Sequence, residues 1–166
     1  MDILLYLLIA SDIYLRYHGL MARKETINWN GCPIRYAASV FADRWNFVIL
    51  RDVLFKGRRY YGDFLDAGEG ISTNILADRL SKFEASGILT RHQDSKKRSR
   101  IYYLPTQKAL ELIPIFLSII DWAERHDEHT EVPDQFITAY RQDAEKTIAE
   151  TEQLIALANA QVTNIH

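Results

Sequence analysis

The sequence predicts a mainly α-helical domain that carries one small β-hairpin. Apolar residues recur at helical spacing along most of the chain, as in Phe47, Ile49, Leu50, Val53 and Leu54. Only residues 88–93 and 99–104 read as β-prone runs, and a polar, basic loop separates them, which is the pattern of a hairpin. Apolar residues make up 48% of the 166, enough for a real core, so wholesale disorder is excluded.

The N-terminus comes first. Residues 3–10 are an unbroken apolar run, but Asp12 interrupts it and Arg16 follows. A membrane-spanning helix needs about 20 mostly apolar residues, so this run is too short. Asp2 stands where a secretory signal would carry positive charge. Residues 1–31 are therefore expected to be an N-terminal extension. Residues 1–20 either form a helix that packs on the body or a partner, or lie upstream of a natural start at Met21.

Pro33 suits the first turn of a helix running to about residue 42. The next helix holds Phe47 to Leu54, and Gly57 can end it. A short helix over residues 60–66 precedes the turn Gly68-Glu69-Gly70. Ser72 is a good N-cap, and Leu76, Leu80 and Phe83 form the buried stripe of the helix it opens. Gly87 ends that helix and the hairpin follows. Thr106 is expected to cap one long helix reaching about residue 126, apolar nearly all round and kinked at Pro114. A helix apolar on every side needs cover on every side, and a second subunit is a natural source. A hinge is expected around residues 127–133. Phe136, Tyr140, Ile148 and Ile155 suggest a last amphipathic helix in a C-terminal extension over residues 127–166.

Charge is near balance overall, with 20 basic and 22 acidic residues, so the molecule is not a basic nucleic-acid coat. It is uneven locally. Residues 88–103 carry five basic residues against Asp94 alone, a net of +4, whereas residues 121–153 carry ten acidic residues against three basic, a net of −7.

The order helix, helix, helix, hairpin, helix carries the functional argument. Two helices joined by a tight glycine turn suit a helix-turn-helix, whose second helix enters the major groove of DNA. With Leu76 facing the core, steps of about 100° put Asn74, Asp78 and Ser81 on the opposite face, with Thr73 and Ala77 at its flank and Ser72 at its start. Asn can bond adenine edges, Ser and Thr serve bases or phosphates, and Ala can meet a thymine methyl. Asp78 is an awkward charge to aim at DNA unless it pairs with Lys82 at i+4. Taken alone, this helix is better explained as an ordinary solvated face. The hairpin changes that. Lys96, Lys97, Arg98 and Arg100 crowd its tip, with Arg91 on its first strand. Such a loop can straddle the phosphate backbone. A basic hairpin immediately after a helix-turn-helix is the layout of a winged helix.

The residues at these positions resemble a known family. Cys32-Pro33, Arg44-Trp45, Ile49-Leu50-Arg51-Asp52, Arg59-Tyr60, Asp63-Phe64 and Ile71-Ser72 open the pattern. Leu76-Ala77-Asp78-Arg79-Leu80, Gly87-Ile88-Leu89, Arg91, Tyr103, Thr106, Lys108, Leu112, Pro114 and Asp121-Trp122 continue it. Together they resemble the HxlR-type winged-helix regulators over residues 32–126, which are thereby expected to form the DNA-binding domain. Three positions depart from the pattern: Ala42-Asp43 where a Gly is usual, Pro105 for Leu and Ala109 for Gly. The resemblance implies a small bacterial homodimeric transcription factor with flanking dimerisation helices. Its expected partner is double-stranded DNA carrying a pseudo-palindromic operator. Contacts are expected from the helix beginning at Ser72 and from the wing at residues 94–100. Some members sense electrophiles or oxidants through the Cys of the Cys-Pro pair, here Cys32.

Cys32 is the one cysteine, so an intrachain disulfide is excluded, and it fits a reducing cytoplasm. It precedes a helix start, where the dipole favours a thiolate, but a small residue that merely packs explains it as well. Enzyme readings fare poorly, because neither a phosphate-binding Gly loop after a strand nor a nucleophile elbow is present. His126 and His129 with Asp127 and Glu128 are the one metal-like cluster, and a solvated helix end explains it better. No cofactor, metal or membrane is expected. The alternatives to an oxidant-responsive DNA-binding regulator are a winged helix used only for protein contacts and a ligand-responsive regulator without thiol chemistry.

Overall fold

The computed structural model describes residues 31–41 and 43–164. The expectations for residues 1–30 lie outside these described residues. The chain divides into two compact units, residues 1–39 and residues 40–166. In the described part of the first unit, helix α1 (Pro33–Phe41) begins, with the Tyr36 amide donating to the Cys32 carbonyl.

The second unit carries the winged-helix elements. Helices α2 (Arg44–Phe55), α3 (Tyr61–Leu65) and α4 (Thr73–Ala85) precede the antiparallel strands β1 (Leu89–Gln93) and β2 (Ile101–Pro105). Helices α5 (Gln107–Leu110), α6 (Ile113–His126), α7 (Asp134–Gln142) and α8 (Ala144–Asn164) follow. The strands pair from Leu89 opposite Pro105 to Gln93 opposite Ile101.

The core is built from the stripes that periodicity marks out. Ile49, Leu50, Val53 and Leu54 of α2 are buried with Leu76, Leu80 and Phe83 of α4. Ile113, Phe116 and Leu117 of α6 join them, and the Phe116 ring lies 5.7 Å from Phe47 and 6.1 Å from Phe55. Two glycines end helices by taking positive φ, Gly57 (64°) after α2 and Gly87 (69°) after α4. At Gly87 the amide donates to the Glu84 carbonyl and the Ile88 amide to that of Phe83, closing a Schellman turn whose flanking Phe83 and Ile88 are both buried.

Three local expectations are corrected. The helix expected over residues 106–126 is two helices, α5 and α6, and Pro114 sits in the first turn of α6. There its missing N–H removes no helical bond, so it starts a helix instead of kinking one. The Thr106 hydroxyl does not cap α5; it donates to the carbonyls of Gly87 and Ile88, at 2.7 and 3.0 Å, tying the end of β2 to the start of β1. The last amphipathic helix is also two, broken at Asp143, which adopts extended backbone while its carboxylate accepts from the Lys146 amide at 2.9 Å.

Helices α7 and α8 fold back on the body. Ile155 of α8 belongs to the main core, Ile137 and Val162 are buried, and Phe136, Tyr140 and Ile148 pack against that core. Arg141 of α7 reaches Asp121 and Glu124 of α6. Much of the cover expected from a second subunit over α6 thus comes from its own chain. Among the described residues, no helix is long and apolar enough to cross a membrane.

Candidate nucleic-acid interface

Helix α4 is held at its start by three neighbours. The Ser72 hydroxyl accepts from the Ile75 amide at 3.4 Å, as an N-cap does. The Tyr61 hydroxyl donates to the Thr73 carbonyl at 3.0 Å, fixing α3 to the first turn of α4. Arg51 of α2 binds the buried Asp52 at 2.7 Å and Glu69 of the glycine turn at 2.9 Å, so the turn between α3 and α4 is anchored from behind.

With the helix so placed, Ser72, Thr73, Asn74, Ala77, Asp78 and Ser81 are all exposed, opposite the buried Leu76, Leu80 and Phe83. Asp78 is neutralised in the way its spacing suggests: Lys82 lies 2.7 Å from its carboxylate, and Arg79 also 2.7 Å from the same oxygen. Arg79 spans further, to Asp43 at 2.7 Å. Asp43 itself N-caps α2 by accepting from the Trp45 amide at 2.8 Å. Burial alone would push the Asp43 carboxyl up, but the Trp45 bond and then Arg79 more than offset it, and the group is held below its ordinary value. The pair therefore clamps α4 to the start of α2.

The wing tip is ordered by Asp94, which is buried beneath it. Its carboxylate accepts from the amides of Lys96 and Lys97 at 2.9 and 3.0 Å, and its own amide donates to the Arg100 carbonyl at 3.0 Å. A short Asp side chain bonding the amides two and three residues on fixes a tight turn. Gln93 adds a bond from its side chain to the Arg98 carbonyl at 2.6 Å. Lys96, Lys97, Arg98 and Arg100 are thereby presented on a defined loop, every one exposed. Arg91, also exposed, stands opposite Tyr103 in the ladder. Helix α4 packs against β1, so the polar helix and the basic loop belong to one compact unit.

Several functional residues escape a reading of the sequence. Asp94 counts there only as a lone negative charge in a basic loop, whereas it organises the tip. Asp43 and Arg79 escape because their partnership spans 36 residues. Ile75, in the first turn of α4, is 37% exposed, an apolar side chain beside the polar face. The His126 ring packs edge-on against Trp122 at 4.7 Å, and His129 is solvated beside Glu128.

Residues 40–131 match the HxlR-like helix-turn-helix family. The chain belongs to that family. An HTH-type transcriptional regulator of Synechocystis sp., sll1512, itself uncharacterised, is 34% identical over 98 residues, covering 57% of this chain and 72% of the relative. YodB, an HTH-type transcriptional regulator of Bacillus subtilis, is 29% identical over 98 residues, covering 58% of this chain and 87% of YodB. Its reduced form superposes with a TM-score of 0.50 at 27% identity, over 60% of this chain and 98% of YodB. The crystal structure of PA1607, a candidate transcription factor, superposes with a TM-score of 0.52 at 30% identity, over 63% and 69% of the two chains. As an HxlR-like protein with a winged helix, the chain is a DNA-binding transcriptional regulator.

Proposed function

We propose that this HxlR-like regulator binds a pseudo-palindromic operator in the cytoplasm as a twofold homodimer. Helix α4 lies in the major groove and the wing lies on the phosphate backbone. The observation that carries the reading is the basic tip, Lys96 to Arg100, held on a fixed turn directly after a helix with an exposed polar face. Thr73, Asn74 and Ala77 meet base edges near the start of α4, while Ser72, Ser81 and the wing cations meet phosphates. Asp78, saturated by Arg79 and Lys82, faces DNA without a net negative charge.

The dimer is favoured by what α7 and α8 leave open on α6. Ile115, Ile119 and Trp122 recur at helical spacing and are 43%, 39% and 59% exposed. Twofold symmetry then sets half-sites about 10 bp apart, or a multiple. The signal is assigned to Cys32, a free, half-buried thiol immediately before α1, with the redox state named for the YodB structure as the supporting analogy. An oxidant or electrophile would cap this thiol or cross-link it to Cys32 of a second subunit.

The test is a binding-site selection with wild type and Asn74→Ala. A bidentate Asn–adenine contact predicts loss of preference at one position per half-site, costing about 1–3 kcal/mol there. Identical preferred sites at every position would remove Asn74 from the reading surface.

A further inference from the structure

The segment before α3 is joined to the wing. Tyr60 forms a β-bridge with Tyr102, and the Arg59 carbonyl accepts from the Tyr103 amide at 2.8 Å. The backbone of this segment is pinned from the other side, because the Asp63 carboxylate accepts from the amides of Arg59 and Tyr60, at 3.2 and 3.0 Å. The Tyr60 ring is therefore fixed against the hairpin. It meets Tyr102 edge-on at 5.9 Å, and the His92 ring stacks on Tyr102 at 5.1 Å. On the Tyr60 ring lies the Arg100 guanidinium, its central carbon 4.0 Å from the ring centroid.

A guanidinium over an aromatic face is attracted by the ring quadrupole while its N–H donors, which lie in its own plane, stay available. Arg100 is exposed, so those donors face solvent. Its backbone is tied as well, the amide to the Lys97 carbonyl at 2.7 Å and the carbonyl to the Asp94 amide. Lys96, Lys97 and Arg98 are exposed on the same tip, and none of them lies over an aromatic ring among the described contacts. A flexible cation must give up its rotamer freedom to hold one phosphate geometry, and a cation already seated on a ring has given up much of it beforehand.

We propose that Tyr60 is a positioning residue for DNA binding: its ring preorders Arg100 so that the guanidinium meets a backbone phosphate in a fixed orientation. The proposal rests on the reading of the wing as a phosphate-binding element. It assigns a role to a residue outside both the helix-turn-helix face and the wing loop.

The test is a double-mutant cycle on operator DNA across a salt series, with Tyr60→Leu, Tyr60→Phe, Arg100→Ala and the Tyr60→Leu/Arg100→Ala pair. Arg100→Ala removes a phosphate contact, so affinity falls and the log–log salt slope decreases by about 0.9. Tyr60→Leu leaves the charge in place but frees the side chain. Affinity then falls about three- to tenfold with the slope kept, as expected for the ordering of one long side chain. Tyr60→Phe keeps the ring and binds as wild type. In the Arg100→Ala background, Tyr60→Leu has no further effect. If Arg100→Ala weakens binding while Tyr60→Leu does not, or the two effects add, the positioning role is wrong and the wing reading stands. If Arg100→Ala itself changes nothing, both fall. Should Tyr60→Leu fail to fold, 15N relaxation of the arginine Nε–H groups of the free wild-type protein decides. Arg100 is expected to be more ordered than Arg98, and equal order would overturn the proposal.

Discussion

Arg59 and Asn159 are joined although 100 residues separate them in sequence: the Arg59 Nε donates to the Asn159 side-chain oxygen at 2.8 Å. Arg59 is only 2% exposed, and its Nη1 donates to the carbonyls of Val53 and Arg58, at 2.7 and 2.8 Å. Its Nη2 has no partner among the described residues. Burial pulls the guanidinium down to about 10, which still leaves it charged at neutral pH. The hydrogen bonds of the buried cation thus all go to neutral dipoles, one of them on α8, and α8 is part of what holds the domain together.

Replacing Asn159 by Leu should remove that dipole and cost about 1–3 kcal/mol, measured by denaturant unfolding. Asn159→Asp should do the opposite, since a carboxylate supplies the missing counter-charge. Its gain is expected at neutral pH and should vanish as acid protonates the new carboxyl. Asn159→Asp less stable than Asn159→Leu at pH 7 would show that Arg59 does not govern this contact.

The Asp43–Arg79 clamp makes an acid-side prediction. The Asp43 carboxyl sits below its ordinary value of 3.8 in the folded protein. A depressed carboxyl contributes stability that is complete above the unfolded value and is lost as pH falls through the folded one. Stability should thus decline below about pH 4, and Asp43→Asn should flatten that decline. Asp43→Ala should also lose the N-cap of α2, about 1 kcal/mol at pH 7. Parallel acid titrations of unfolding for wild type and Asp43→Asn would contradict the clamp.

How the sequence foreshadows this structure depends on the range of the interaction. The Ser72 cap, the stripe Leu76, Leu80, Phe83 and the Gly87 stop are legible because each is encoded within a few residues. The exposed face of α4 and the basic tip follow from that local frame. Pro114 misleads because proline both breaks and begins helices, and its effect depends on where the previous helix stops. The roles of Asp43, Arg59 and Asp94 stay hidden, because a charged residue's partner is set by tertiary packing. The docking of α8 on α2 is hidden for the same reason: amphipathic periodicity marks a buried face and not what buries it.

The open strip on α6 predicts that Ile119→Glu and Trp122→Glu each yield a folded monomer. Both residues are partly solvated in the single chain, so the fold itself loses little. Light scattering at micromolar concentration, with circular dichroism to report folding, checks this. An unchanged dimer mass in both variants would place the interface elsewhere.

For Cys32, DNA affinity is measured before and after diamide or a quinone, in wild type and Cys32→Ser. The expected outcome is a several-fold change in wild type alone. Equal affinity in all four conditions, with the thiol shown to be unmodified, would leave Cys32 as a packing residue and move the signal to a non-covalent ligand.

The central claim is that the fixed basic tip of the wing grips the DNA backbone. It is tested most directly by the salt dependence of binding for wild type and the Lys97→Ala/Arg98→Ala double variant, on operator and on random duplex. Two lost phosphate contacts should weaken binding to both duplexes and lower the log–log slope by roughly 1.8, about 0.9 for each contact. The same affinity and the same slope on both duplexes would contradict the account.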